Sequence, residues 1–258
     1  MTSGVAAQRA IQLGFVVAAG AAWQALTASG AVSPLFLPSP FAVYAALSRL
    51  VGTAQSWSAI QITLTTIAKA YGIAIVAGLF AGWLVTRSRF WTDVFEPIVA
   101  GLFTIPITLF FPMFILFFGV GTGSKVAYGA TYAFFPIALN TIAGFGRADE
   151  RYLRAARSMG ASRLDTFFHV LLPGALPVLL TGLRVGFFIC FASVLGGEAL
   201  SSIAGVGRNI ALSAELMESA RMYAWIGVVI ITAVILNLFV SSFENRAEGG
   251  GAAQDKSI

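Results

Sequence analysis

Few side chains in this chain suit covalent chemistry, and none is spaced for it. His169 is the only histidine and Cys190 the only cysteine. A metal site would need acidic ligands grouped around the histidine, and none stands at ligand spacing. A nucleophile needs a base within reach. No carboxylate or thiol partners His169 in the sequence, and Cys190 lies in an apolar run, where a buried thiol is inert. No G-x-x-x-x-G-K-[ST] phosphate loop occurs, because "GVGTGSK" lacks the second glycine at that spacing. No catalytic residue, metal or cofactor is therefore assigned. The chemistry that remains is non-covalent. Thr104, Thr108, Asn140 and Arg184 are polar side chains within apolar runs, suited to lining a path for a polar solute or to hydrogen-bonding between helices. Lys125 stands at the edge of one such run, and Lys69 and Arg184 are the two cations inside them. Placed near helix ends, they would snorkel to the membrane surface.

The elements that must position these groups are set by composition. Of 258 residues, 58% are hydrophobic and only 10% charged, and the mean hydropathy is +0.85. A soluble domain carries about 25% charged residues, so there is too little polar surface here to cover a water-soluble globule. An all-α integral membrane protein is the expectation. Six apolar runs approach the ~20 residues that a bilayer requires: 10–28, 59–85, 97–118, 125–143, 177–198 and 222–243. The first lacks a signal-peptidase site followed by a soluble domain, and it reads as a span rather than a removed leader. Pro106, Pro112 and Pro136 fall inside runs, where each removes a backbone hydrogen bond that lipid cannot replace. Gly78 and Gly82 form a G-x-x-x-G pair, as do Gly182 and Gly186, and such pairs let helices approach closely. Between the runs lie a hinge-like "SPLFLPSPFAVYAAL", a Gly-rich turn and a longer polar loop over 201–221. The tail from residue 243 is polar and Gly-rich and is expected to be disordered.

The net charge of +5 reflects basic residues retained on one side of a membrane rather than a nucleic-acid partner. With the N-terminus placed in the cytoplasm, the inside segments hold Arg9, Arg87, Arg89, Arg147, Arg151, Arg154, Arg157, Arg163, Arg246 and Lys256. The outside segments hold Arg49, Lys125, Arg208 and Arg221. Ten against four puts both termini in the cytoplasm.

The same side then receives the stretch "RAARSMGASRLDTFFHVLLPGALP", between the fourth and fifth runs. It is too charged for lipid. From Asp149 to His169 it contains good helix formers and no proline, and Pro173 and Pro177 then break the pattern. In a continuous helix Ala156 and Gly160 would share one nearly bare face, rimmed by Arg154, Arg157 and Arg163. Such a face suits close seating against another protein. An amphipathic helix lying on anionic headgroups would satisfy the same spacing.

The segment "AARSMGASRLDTFFHVLLP" resembles the cytoplasmic signature loop of ABC importer permeases: Glu-Ala-Ala, three residues, Gly, nine residues, an aliphatic residue, any residue, Leu-Pro. Ala155, Ala156, Gly160, Val170, Leu172 and Pro173 match it, and Arg154 stands where the pattern has Glu. "LPSPFAVYAAL", "EPIVAGLFTIP", "FGVGTGSK", "FFPIALNTIAG", "GLRVGF" and "GVGRNI" resemble the branch that imports nitrate, taurine and alkanesulfonates, with thiamine-precursor importers as near neighbours. The resemblance implies a type I importer fold over about 56–242, preceded by an extra helix and linker over 1–55. Residues 147–173 would be the coupling segment and 243–258 the tail. It implies two permease copies, a homodimer in preference to a heterodimer, in a bacterial inner membrane. It also implies two cytoplasmic ATPase subunits that dock on Arg154 to Pro173, and an external solute-binding protein. A membrane enzyme and a self-powered carrier are the rivals, and the first lacks a nucleophile–base pair.

Overall fold

The computed structural model describes residues 2–146 and 150–252. Eleven α-helices follow one another among them: α1 (Thr2–Ala28), α2 (Pro40–Val51), α3 (Ala54–Val85), α4 (Arg89–Thr104), α5 (Phe111–Phe118), α6 (Thr122–Gly146), α7 (Glu150–Ser158), α8 (Arg163–Thr166), α9 (Leu172–Leu200), α10 (Val206–Glu215) and α11 (Ser219–Ala252). A 3-10 turn, Ile107–Phe110, precedes α5, and a π turn, Phe167–Leu171, joins α8 to α9. Helices alone satisfy every backbone group within one segment, which lipid requires of spanning structure. Five helices are each long and apolar enough to cross a membrane, and the bent pair α4–α5 reaches the same length and apolarity only when its two parts are taken together.

The core is the triple α3–α6–α9. Ile67, Ala70 and Ala74 from α3 meet Ala130, Ala133 and Ile137 from α6, and Phe187, Cys190, Phe191 and Val194 from α9. Small residues decide how close these helices come. A Cβ on Gly78 would stand 2.7 Å from Ile137 Cγ2, and one on Gly82 would stand 2.5 Å from Thr141 Cβ. On the other flank, a Cβ on Gly186 would stand 2.6 Å from Ile137 Cγ1, and one on Gly182 would overlap Asn140. Both G-x-x-x-G pairs therefore grip α6, from α3 on one side and α9 on the other. Lipid tails are as apolar as leucine, so close van der Waals contact rather than expulsion from water holds such helices together. A second cluster joins α2, α3, α10 and α11 through Ala46, Leu50, Ala59, Val206, Ala224 and Trp225. By contrast, α1 is held to the rest near its C-terminal end: Trp23 Nε1–H donates to the Pro38 carbonyl at 3.0 Å, and its ring lies 6.3 Å from that of Tyr223.

Several expectations change. The run 97–118 is not one straight helix, because α4 and the Ile107–Phe118 helical stretch meet at 73°. Ile105, which precedes Pro106, is extended (φ −70°, ψ 127°), as a residue before proline prefers. Pro112 then sits in the first turn of α5, where its missing N–H leaves no gap. The hinge-like stretch contains α2: Ser39 caps it by accepting from the Ala42 N–H at 3.2 Å, and Pro40 opens it. The polar loop 201–221 contains α10. The backbone is helical through Ala252, where an unstructured tail was expected from residue 243; residues 253–258 lie outside the described residues.

The grip on α6 sets the first expected outcome. Gly186→Leu should lower the thermal stability of the detergent-solubilised chain by an overpacking cost of about 1–3 kcal/mol or more. Gly227→Leu, where an added Cβ meets nothing within 4 Å, should not. Tryptophan-fluorescence melting of both variants checks it; equal midpoints would show that α6 is not tightly held.

Candidate functional site

Three polar regions stand out against the apolar bundle. The first is the connection from α6 to α9, which forms an elbow at one end. Arg154, Ala155 and Ala156 lie on α7, and the helix stops two residues before Gly160. Gly160 adopts φ +77°, a left-handed conformation in which a side chain costs energy. Its N–H donates to the Arg157 carbonyl at 3.1 Å, and the Ala161 N–H donates to the Ala156 carbonyl at 3.0 Å. This pair of bonds is a Schellman helix stop. Ser162 then opens α8 with a capping box: its Oγ accepts from the Asp165 N–H at 3.1 Å, and the Asp165 carboxylate accepts from the Ser162 N–H at 3.2 Å.

The continuous helix expected from Asp149 to His169 is thus two short helices around a glycine turn. Gly160 does not extend a face with Ala156, and Asp149 itself lies outside the described residues. Val170 falls in the π turn. Leu172 and Pro173 begin α9 rather than ending a helix. A proline ring clashes with the carbonyl four residues back in an α-helix; here the wider turn carries the chain past that point, with the Leu172 N–H bonded to the Phe167 carbonyl. His169 Nδ1 lies 3.1 Å from the Asp165 carbonyl oxygen, a local bond. Phe145 of α6 stacks on Phe167, centroids 5.9 Å apart, and anchors the elbow to the bundle. Facing outward are Met159, 86% exposed, and Leu164, 71% exposed. Neither stood out in the sequence, although both flank the matched glycine.

The second region is at mid-bundle. Asn140 Nδ2–H donates to the Pro136 carbonyl of its own helix at 2.8 Å, and its side chain fills the space over Gly182. Thr104 donates to the Gly101 carbonyl at 2.7 Å at the end of α4, and Thr108 is exposed in the 3-10 turn after the bend. Arg184 Nη2–H donates to Asn237 Oδ1 at 3.2 Å, linking α9 to α11. Their contacts lie apart: Asn140 over Gly182 of α9, Thr104 on its own helix and Arg184 on α11. Neither expected snorkelling position holds: Lys69 stands fifteen residues from the start of α3 and sixteen from its end, and Arg184 lies near the middle of α9.

The third region was missed by the sequence reading. Glu198 and Lys125 are each only 1% exposed, at the end of the bundle opposite the elbow. Thr63 Oγ1–H donates to both oxygens of Glu198, at 2.9 and 2.8 Å, and the Gly207 N–H donates to Oε2 at 3.0 Å. The Val206 N–H in turn donates to Thr63 Oγ1 at 2.9 Å. Lys125 is close enough for its charge to act on Glu198, and its ammonium bonds the Val120 carbonyl. Lys125 is therefore an interior charge and not the loop charge that the orientation count made it. A buried polar group keeps its place only when hydrogen-bonded, and this carboxyl pins the first turn of α10 to α3 and α9. A lone acid inside the apolar run 177–198 was the available signal. Nearby, Arg208 pairs with Glu215 at 3.3 Å and Arg221 with Glu218 at 3.1 Å.

Thr63→Val keeps shape and removes the hydroxyl, leaving Glu198 and the Val206 amide each short of a partner. It should destabilise the chain by about 1–3 kcal/mol, and it should speed proteolysis between α9 and α10 before the rest of the chain. Limited proteolysis beside thermal melting checks this; an unchanged cleavage rate would remove Thr63 from the lock.

The arrangement, a helical bundle with an outward-facing two-helix elbow, has known counterparts. One of the solved structures it resembles is a methionine ABC transporter in an inward-facing conformation. The match has a TM-score of 0.63 at 18% identity and covers 74% of this chain and 96% of that one, a likeness of fold. The taurine transport system permease protein of Escherichia coli (strain K12) is 30% identical over 229 residues, 87% of this chain and 83% of that one. The formylaminopyrimidine transport permease protein of Halalkalibacterium halodurans is 31% identical over 180 residues, 67% of this chain and 69% of that one. The family model described as "binding-protein-dependent transport system inner membrane component" matches residues 74–248. The match takes in the last twelve residues of α3, the elbow and all of α6 and α9, and the chain belongs to that family.

Proposed function

We propose that this chain is the permease subunit of an ATP-driven importer, working as a homodimer in a bacterial inner membrane. Two copies frame the pathway, an external binding protein delivers the solute, and separate ATPase subunits dock on the elbow and hydrolyse ATP. The solute is a taurine-, sulfonate- or nitrate-type anion in preference to a thiamine precursor. The importer unit spans about 56–242, with residues 1–55 added as a further helix and linker. The single observation that carries the reading is the elbow itself. Within a chain of this family, it turns two short helices away from the bundle and leaves Met159 and Leu164 bare. Exposed apolar side chains rimmed by charge mark a protein contact surface. The residues Arg154, Ala155, Ala156, Gly160, Val170, Leu172 and Pro173 form this surface or fix its shape. The excess of Lys and Arg at this end of the helices favours the cytoplasmic side.

The test is co-purification with the cognate ATPase and stimulation of its activity. The partner-free chain should hydrolyse no ATP, whereas Gly160 variants in the complex should follow backbone geometry. Gly160→Asn, which tolerates the left-handed conformation, should bind the ATPase better than Gly160→Ala. Ala there costs about 1–2 kcal/mol, enough for a loss of roughly 5–30-fold. The reverse order would mean that smallness, not backbone freedom, is what the position needs.

Sidedness is checked separately. Ser158→Cys should react with an impermeant thiol reagent only after cells are opened. Reaction from outside would invert the topology and remove the elbow from the ATPase side.

A further inference from the structure

Lys69 is a cation without a visible counter-ion, at a depth where one is needed. Its helix carries Trp57 twelve residues before it and Trp83 fourteen residues after it, distances of about 18 and 21 Å along the axis. Tryptophans settle at the two membrane–water interfaces, so Lys69 falls close to the midplane. The hydrocarbon half-thickness of about 15 Å exceeds the reach of a lysine stem. Lys69 is exposed on the face of α3 turned away from α6 and α9. That face is not lipid-like on one side of it. Ser58, Gln61 and Thr65 recur at helical spacing toward the Glu198 end, all exposed. Toward the elbow the same face turns apolar, with Val76 71% and Phe80 60% exposed. The polar stripe starts at one interface and stops at the lysine.

What could balance the charge is limited by the sequence. Among the described residues Lys69 has no hydrogen-bond or ion-pair partner. A second copy of this chain offers no free carboxylate at that depth. Glu198 is buried and bonded to Thr63 and Gly207, while Asp93 and Glu96 lie in the first two turns of α4, at the elbow end. The other mid-bundle cation, Arg184, is engaged by Asn237. An ionisable residue inside a membrane faces a water-filled path or a partner charge.

We propose that Lys69 is the midplane anion-binding residue of the solute pathway, reached from the Glu198 end along Ser58, Gln61 and Thr65. The inference rests on the permease reading and sharpens it. The transported solute carries an anionic group, such as a sulfonate or another small oxoanion, and a cationic solute is repelled.

The test does not require the solute to be known. Lys69→Cys, Ser58→Cys and Thr65→Cys are introduced singly into the full chain, co-expressed with its ATPase and placed in membrane vesicles. Each is exposed to impermeant methanethiosulfonates, one bearing a sulfonate and one a trimethylammonium group, both nucleotide-free and trapped with ADP and vanadate. Native Cys190, wholly buried, makes the unsubstituted chain the unreactive control. All three positions should react in at least one state. At Thr65→Cys, the rate ratio of anionic to cationic reagent should fall roughly tenfold when Lys69→Met is added, because the lysine concentrates anions in a low-dielectric cleft. If Lys69→Cys stays unreactive in both states, or the ratio does not change, Lys69 is not in the path and the inference is overturned. Co-purified ATPase is measured in the same vesicles. Its absence from the unsubstituted chain would count against the permease reading instead.

Discussion

Everything in this structure depends on α6 being held within a backbone's reach of two neighbours. Ile137 is the fulcrum: Gly78 of α3 lies against one side of it and Gly186 of α9 against the other. In lipid there is no water to expel from between helices, so association must come from contact itself. The contact is available only where side chains are nearly absent on one partner. The four glycines of the two pairs are therefore spent on α6. Its polar residues are treated accordingly: Asn140 and Thr141 return their hydrogen bonds to their own helix, to Pro136 and Ile137, and leave the interfaces smooth.

The ends of this triple are finished in opposite ways. At the elbow end the chain leaves the bundle, stops a helix with a left-handed glycine and restarts it with a capping box. These local devices need no burial. At the other end the chain is drawn in, and a buried carboxylate collects a hydroxyl, a backbone amide and a lysine charge to fix α10 over the mouth of the triple. One end presents surface and the other is sealed by satisfied polar groups.

Much of this was legible in the sequence. Run length and apolarity mark the membrane helices because a bilayer imposes a minimum length, and the G-x-x-x-G spacing marks the close contacts. The signature-like spacing from Ala155 to Pro173 marks the elbow, but not its shape. Gly160 looked like the fourth residue of a small face because periodicity assumes an unbroken helix, whereas the Schellman bonds end the helix before it. Helix α2 escaped because it is too short to register as a span, although Ser39–Pro40 is a helix-start signal, and α10 because it is both short and more polar. The bend between α4 and α5 was present as Pro106 and Pro112, which the run length concealed. The Glu198 cluster showed in the sequence only as a lone acid in an apolar run: Thr63, Lys125 and the Glu198–Gly207 stretch come together from three distant parts of the chain, and only folding brings them there.

The joint between the elbow and α9 has a mechanical consequence. Arg163 to Leu200 forms one unbroken rod of 38 residues, about 57 Å at the helical rise, and it reaches from the elbow to the carboxylate at the far end. Its only wide turn, Phe167–Leu171, lies within two turns of the elbow. Such a rod behaves as a shaft with a compliant coupling close to the handle. Small twists of the elbow are taken up in the coupling. Larger ones have nowhere to go, because Gly182 and Gly186 lock the shaft to α6, and the two helices must then turn together as a single crank whose far end bears on the seal at Glu198.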